Sequence, residues 1–268
     1  AAGDSGNAMK SAKHQRSLVL VHGQPGGLGG YAVLFDELAA ETGSTAQIHL
    51  QLATETPPEE AGSKREIHAV IDHHEATQGV RLAVVHGREP RNVSWDLSPS
   101  QDLKRNPKAG HHYRLQATYP TDEQGRLHTA TVLFPFDATH AKPVFAALDG
   151  DRDSAVRIRF AGGTTDTIVT SHGRQCVETE GVSFRGKAAI LRNDTDATRR
   201  FVFLRHATHF RSRNAGFDCD HPITIVMRDN GAWVTTEHDV ILDLQHRETG
   251  GNRLSLPAGS HYLPSLAQ

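Results

Sequence analysis

Apolar and polar residues alternate along this chain in short runs, broken by Gly, Pro, Asn or Asp. Successive side chains of an extended strand point to opposite faces, so a period of two marks strands with one buried face. Such runs cover residues 17–22, 31–35, 46–52, 66–71, 81–85, 111–119 and 127–133. They continue at 156–160, 167–171, 187–192, 199–206, 223–228, 232–237 and 240–245. That is about fourteen strands. Helical spacing is almost missing: 37–41 is too short, and 137–148 carries Pro143 near its middle, where it removes a hydrogen bond and clashes with the preceding turn. Turn chemistry stands at Asp194-Thr195, Asp229-Asn230-Gly231 and Gly250-Gly251-Asn252. Strands without helical crossovers pair antiparallel. The prediction is therefore an all-β fold, a large antiparallel β-sandwich with little helix. The polar stretches 55–64 and 101–110 read as surface loops rather than linkers, so residues 1–268 read as a single β-sandwich domain.

Composition narrows the function. The formal charge of −2, from 29 basic and 31 acidic side chains, lacks the basic excess that releases counterions from nucleic acid. No apolar run reaches the roughly 20 residues a membrane-spanning helix needs. Neither nucleic acid nor membrane is an expected partner. Arg outnumbers Lys 22 to 7, a bias that suits planar carboxylates, although genome base composition produces it too. Cys176 and Cys219 allow either one bridge or two inert thiols. The chain starts at Ala1 without a charged-then-apolar leader, and the expectation is that a signal peptide has been removed or a longer protein cut.

Several motifs carry chemistry on paper. Residues 18–27 look like the strand and oxyanion loop of an α/β-hydrolase, but that fold needs a Gly-x-Ser-x-Gly elbow. The nearest stretch, Gly181-Val182-Ser183-Phe184-Arg185-Gly186, has its second glycine one place too late. The pairs His73-His74 and His111-His112 sit badly for one metal, because strand neighbours point apart. His22, Asp36 and His49, on three successive strands, either converge on a zinc or are hydrogen-bonded at sheet ends. His206 and His209 with Asp218 and Asp220 form a similar loose group. Asn92-Val93-Ser94 and Asn193-Asp194-Thr195 have the form of glycosylation sequons.

Ala1-Ala2-Gly3-Asp4-Ser5-Gly6-Asn7-Ala8, followed by Arg16-Ser17-Leu18-Val19-Leu20-Val21 and Gly30-Tyr31-Ala32-Val33-Leu34-Phe35-Asp36-Glu37-Leu38, resembles the C-terminal β-sandwich region of heparinase II/III-like polysaccharide lyases. Ile48-His49-Leu50, residues 113–120 and residues 125–135 are similar to later strands of that region, so the resemblance covers most of residues 1–150. It implies a secreted or periplasmic enzyme cleaving uronate-containing polysaccharides by β-elimination. That chemistry needs a group to neutralise the uronate carboxylate, a base for the C5 proton and an acid for the departing O4. In the family the base and acid come largely from an N-terminal helical toroid, with metal-binding His and Asp early in the sheet region; both lie upstream of the matched residues, so the resemblance leaves zinc open for the full-length enzyme only. No long helical segment is present here, so the expectation is a chain without a complete active site or cofactor of its own. It would pack against that toroid and line the cleft for an acidic polysaccharide through Arg88, Arg91, His111, His112 and Arg114. The alternative is a non-catalytic carbohydrate-binding or structural β-sandwich module. Such modules display aromatic platforms, which here only Trp95, Trp233 and four Tyr could supply.

Overall fold

A computed structural model describes residues 2–4, 12–23, 29–52, 54, 56–71, 79–99, 111–148, 154–173, 176–179, 182–194, 199–212, 215–228, 231–246 and 250–264. About three quarters of the described residues lie in strands, paired antiparallel with almost no helix, in a sandwich-like all-β fold, as the alternation predicts. The chain divides into two compact units, residues 1–148 with 160–162, and residues 149–159 with 163–268.

In the first unit the strands are β1 (Ala2–Asp4), β2 (Lys13–His22), β3 (Gly30–Ala39), β4 (Thr45–Leu52), β5 (Glu59–Ser63), β6 (Glu66–Ile71), β7 (Val80–His86), β8 (Asn92–Pro99), β9 (His111–Pro120), β10 (Arg126–Phe136) and β11 (Val144–Ala147). One sheet runs β1-β2-β3-β10-β7-β6-β5, and a three-stranded sheet runs β4-β9-β8. The second packs on the first. Leu50 and Leu52 of β4, Val93 of β8 and Leu115 of β9 meet Leu34, Ile67, Ala69 and Val84 of the larger sheet. Ala46, Ile48, Ala117 and Tyr119 likewise meet Leu38 and Leu127. The pattern in β4 shows why: its odd residues are exposed and its even residues, Ala46, Ile48, Leu50 and Leu52, are buried. Burying each such side chain contributes roughly 1.5–3 kcal/mol. β3 and β10 are different, being covered on both faces. Phe134 reaches the side away from the small sheet and contacts Tyr31, Phe145 and Phe160.

The second unit holds β12 (Ser154–Arg159), β13 (Thr165–Thr170), β14 (Val177–Thr179), β15 (Val182–Arg185), β16 (Ala188–Asn193), β17 (Arg199–Arg211), β18 (Ala215–Arg228), β19 (Gly231–Thr236), β20 (Val240–His246), β21 (Gly250–Leu256) and β22 (Gly259–Leu263). Its two long strands, β17 and β18, change partners along their length. The first half of β17 pairs with β16 and the second half with β15. The first half of β18 pairs with β20 and the second half with β19. Irregularities between Leu204 and His209 mark the change, and there His206 adopts a φ of 49°, a conformation His tolerates better than β-branched residues do.

The structure corrects the strand count. It holds twenty-two strands among the described residues rather than about fourteen: some, such as β14 and β22, are short with little apolar alternation, and others, such as β8 and β15, alternate but are brief or lie beside polar stretches. Residues 37–39 belong to β3, and 144–147 form β11, so neither region is helical. Both cysteines are free, and Cys219 Sγ lies against the Ala207 carbonyl. Burial pushes the Cys219 thiol up to about 12, which leaves it protonated and unreactive.

Central strands covered on both sides must pair any charge they bury. Asp166 of β13 is fully buried and takes two bonds of 2.7 Å from Arg192, directly opposite on β16. Removing one partner of such a pair leaves an uncompensated buried charge, at a cost of about 3–5 kcal/mol, whereas replacing both with apolar residues is far milder. Arg192→Met is therefore expected to lower stability in urea unfolding by that amount, and Arg192→Met with Asp166→Leu by much less. Equal losses in the single and double variants would contradict this reading.

Candidate functional site

Cross-strand register decides which side chains meet, and it separates the residues expected to line a cleft. Arg114 and His112 stand two apart on β9, on the outward face of the three-stranded sheet. That face is polar throughout: Gln47, His49 and Gln51 come from β4, and Asn92, Ser94 and Asp96 from β8. Arg114 is committed within it. Its Nε and NH2 donate to Asp96 at 3.1 and 2.8 Å, and Gln116 donates to the same carboxylate at 3.1 Å. The Arg114 guanidinium holds Asp96 below the usual carboxylate range, and Asp96 in turn raises Arg114. A uronate carboxylate would have to displace Asp96 to use this arginine.

Arg91 is exposed and precedes β8, with its N–H donating to Thr118 at the far end of β9. Four residues of strand, roughly 13 Å, separate that point from Arg114. Arg88 is half-buried in the turn leaving β7. The His111 side chain lies outside the described residues, as do Asp72-His73-His74. Among the described side chains, Arg91 and Arg114 thus stand well apart rather than in one cluster.

Of the two readings of His22, Asp36 and His49, convergence on a zinc is not what the structure assembles. Asp36 faces Arg16 across β2, whereas His22 faces Gly30, six residues or roughly 20 Å along the same ladder. His49 is exposed on the outward face of the other sheet. Asp36, fully buried, instead takes bonds from His14 at 2.7 Å and from Arg16 at 2.7 and 3.1 Å. Of the second loose group, His209 and Asp218 meet at 2.7 Å, while the Asp220 carboxylate takes the Ile241 N–H. Among the described residues, no three His, Cys, Asp or Glu side chains converge as a metal site.

Two polar groups inside the first sandwich are chemically suggestive but sealed. His86 ends β7, Tyr119 comes from β9 in the opposing sheet, and both are 0% exposed. The Tyr119 hydroxyl and His86 Nδ1 are 2.9 Å apart, with Thr131 at 3.5 Å and Thr129 bonded to the same tyrosine. Desolvation is the main cause lowering His86 to about 4, with the nearby Arg65 charge acting the same way. Burial pushes the Tyr119 phenol well above its ordinary value. A base and an acid that no substrate reaches serve instead to tie the two sheets together.

The exposed chemistry lies in the second unit. On one face of β18, β19 and β22, Trp233 stands directly opposite Tyr262 and both are largely exposed, at 57% and 42%. Their ring centroids are 5.0 Å apart and the planes meet at 43°. Gly231 makes this possible. A side chain there would bring a Cβ within 2.8 Å of the Tyr262 hydroxyl and 3.0 Å of its ring, and its φ of 140° further favours glycine. Beside the rings, Thr235 and Ser260 face each other with hydroxyls 3.1 Å apart, and Thr224 completes the row. Arg228, exposed and opposite Gly231, sits on the same face two residues beyond Val226. The arrangement offers two aromatic faces, a row of hydroxyls and a cation. Trp95, by contrast, is partly buried against the first unit's core. The sequence offered Trp233 and the four Tyr as platform candidates, Tyr262 among them, but not their pairing, since β22 is short and carries little apolar alternation.

The described residues define an all-β chain that carries an exposed aromatic and hydroxyl surface on β18, β19 and β22. No known protein family matches the chain, and no curated protein sequence is detectably similar to it.

His86 gives a pH dependence whose sign is fixed. Its value is depressed in the folded state relative to 6.5, so the neutral form is favoured by folding. Its contribution is complete above pH 6.5 and is lost as pH falls through about 4, a change of about 3 kcal/mol. Urea unfolding at both pH values should show this loss in the native protein and a smaller loss in His86→Gln. An unchanged pH dependence in the variant would contradict it.

Proposed function

We propose that this chain binds an acidic, uronate-containing polysaccharide, as the β-sheet region of a lyase that cleaves such polymers by β-elimination. The Trp233–Tyr262 pair carries the binding reading. Sugar rings present apolar C–H faces that stack on exposed aromatics, and their hydroxyls match the Thr224, Thr235 and Ser260 row. Large aromatics whose rings are already exposed and held in place are the residues that dominate recognition surfaces. Arg228 is placed to answer a uronate carboxylate, an attraction that weakens with salt. The lyase reading rests on the resemblance of residues 1–150, and under it the base and acid belong to an N-terminal helical toroid packed against this chain, in a secreted or periplasmic enzyme. Arg91 and His112 are then secondary contacts to the polymer.

The aromatic pair also supports a non-catalytic carbohydrate-binding module, and one experiment separates the two. The chain, alone and within its full-length parent, is incubated with alginate, heparan, chondroitin and hyaluronan while the ultraviolet absorbance of unsaturated uronate is followed, and retention on each immobilised polymer is measured. Binding by the chain with product only from the parent fits the lyase reading; binding with no product from either fits the module. Trp233→Ala is expected to weaken retention at least about tenfold, a change of about 1.4 kcal/mol. Arg228→Ala should weaken retention on acidic polymers specifically. Unaltered retention in Trp233→Ala would remove the platform from the account.

A further inference from the structure

A second constellation in the same unit lies outside this platform. β15 pairs with the second half of β17, which pairs with the first half of β18. On the face they share, Ser183 stands opposite Arg211, Arg185 opposite His209, and His209 opposite Asp218. The Ser183 hydroxyl lies 3.5 Å from His209 Nε2, and the other ring nitrogen, Nδ1, lies 2.7 Å from Asp218 Oδ1. The second oxygen of Asp218 accepts from Arg211, whose guanidinium also donates to the Phe210 carbonyl at 3.0 Å. Partial desolvation pushes the Asp218 carboxyl up, but the bonds from His209 and Arg211 outweigh it and keep the group ionised. The His209 side chain is 20% exposed and that of Asp218 47%, so unlike His86 and Tyr119 this group is open to solvent.

A hydroxyl at one imidazole nitrogen and a carboxylate at the other is the arrangement that turns serine into a nucleophile, and it is recognised by geometry and roles rather than by order in the chain. The serine–histidine separation is longer than a closed hydrogen bond, as is common before substrate binds. We propose that Ser183, His209 and Asp218 form a nucleophilic triad that hydrolyses esters. His209 Nε2 accepts the Ser183 hydroxyl proton as Oγ attacks the ester carbonyl. The resulting oxyanion forms on the face of Arg185, whose guanidinium has, among the described residues, only the Cys176 Sγ at 3.6 Å to exchange for it, while Arg211, opposite Ser183, stays bonded to Asp218 and contributes its charge from there. Collapse breaks the ester C–O bond, and the alcohol leaves with the proton from His209. Water, giving its proton to His209, then attacks the acyl-serine and releases the carboxylic acid, which restores the serine hydroxyl. An open strand face with two arginines suits a small acyl ester carried on an extended, acidic molecule. The proposal is independent of the sugar platform, which lies on β19, β22 and the second half of β18, whereas Asp218 belongs to the first half.

The test uses the whole chain and two probes, a fluorophosphonate that phosphonylates activated serines and p-nitrophenyl acetate. Expected are a phosphonyl adduct mapped to Ser183 by tandem mass spectrometry and nitrophenolate release that is abolished in Ser183→Ala. His209→Asn should slow both by about 10²–10⁴-fold. Absence of an adduct at Ser183 in the folded native chain overturns the proposal, and so does nitrophenolate release by Ser183→Ala at the native rate, which would mark simple imidazole catalysis. Adduct formation in the native chain is decisive even if a variant fails to fold by circular dichroism.

Discussion

In a chain built almost wholly of antiparallel strands, register is the constraint on which everything else depends. Two residues directly opposite each other share a face, and the next pair shares the other. Side chains far apart in sequence therefore meet only if the pairing is held to the residue. Trp233 meets Tyr262, and Arg114 meets Asp96, through such pairs. A slip of one residue would turn Trp233 inward and bring Ala232 and Val234, both fully buried, to the surface. The apolar loss opposes that slip, and Gly231 opposes it as well, because only glycine leaves room for Tyr262 at that position.

Buried polar groups reinforce the same specification. Asp36 is answered by Arg16 and His14 from β2, Asp166 by Arg192 from β16, and His86 by Tyr119 from the opposing sheet. Each of these bonds exists in one pairing only, and a shifted strand would leave a buried charge, or the Nδ1 of His86, without its partner. Surface polar pairs work differently. The Arg114–Asp96 pair sits in solvent and screens easily, so its consequence is to occupy an arginine rather than to hold the sheet.

Much of the architecture was legible in the sequence because apolar alternation is itself a product of the pleat. β4 reads apolar at every second residue and is buried at those same residues. Strands whose burial does not follow that rhythm were harder to see. β8 alternates Val93, Trp95 and Leu97 with polar residues but its polar members outnumber its apolar ones, and β21 opens on two glycines that read as a turn. The candidate sites suffered from the same blindness, since register cannot be read from one strand alone. Trp233 was visible as an aromatic, but its neighbour lay on the unread β22. Ser183 and His209 were each noted for other reasons, and nothing short of the β15–β17 ladder could join them. His22 and Asp36 looked close because they end one strand and occupy the next, yet their pairings place them well apart along it.

The central claim is that Trp233 and Tyr262 form the surface on which an acidic polysaccharide lies. The chain has two tryptophans, one on that face and one against the core of the other unit, which makes the claim directly readable by nuclear magnetic resonance. Titration of the ¹⁵N-labelled chain with a uronate oligosaccharide should shift the indole N–H resonance of Trp233 and the amides of β19 and β22, and leave the Trp95 indole unmoved. Shifts confined to the outward face of the three-stranded sheet around Arg114, with Trp233 unmoved, would contradict the account.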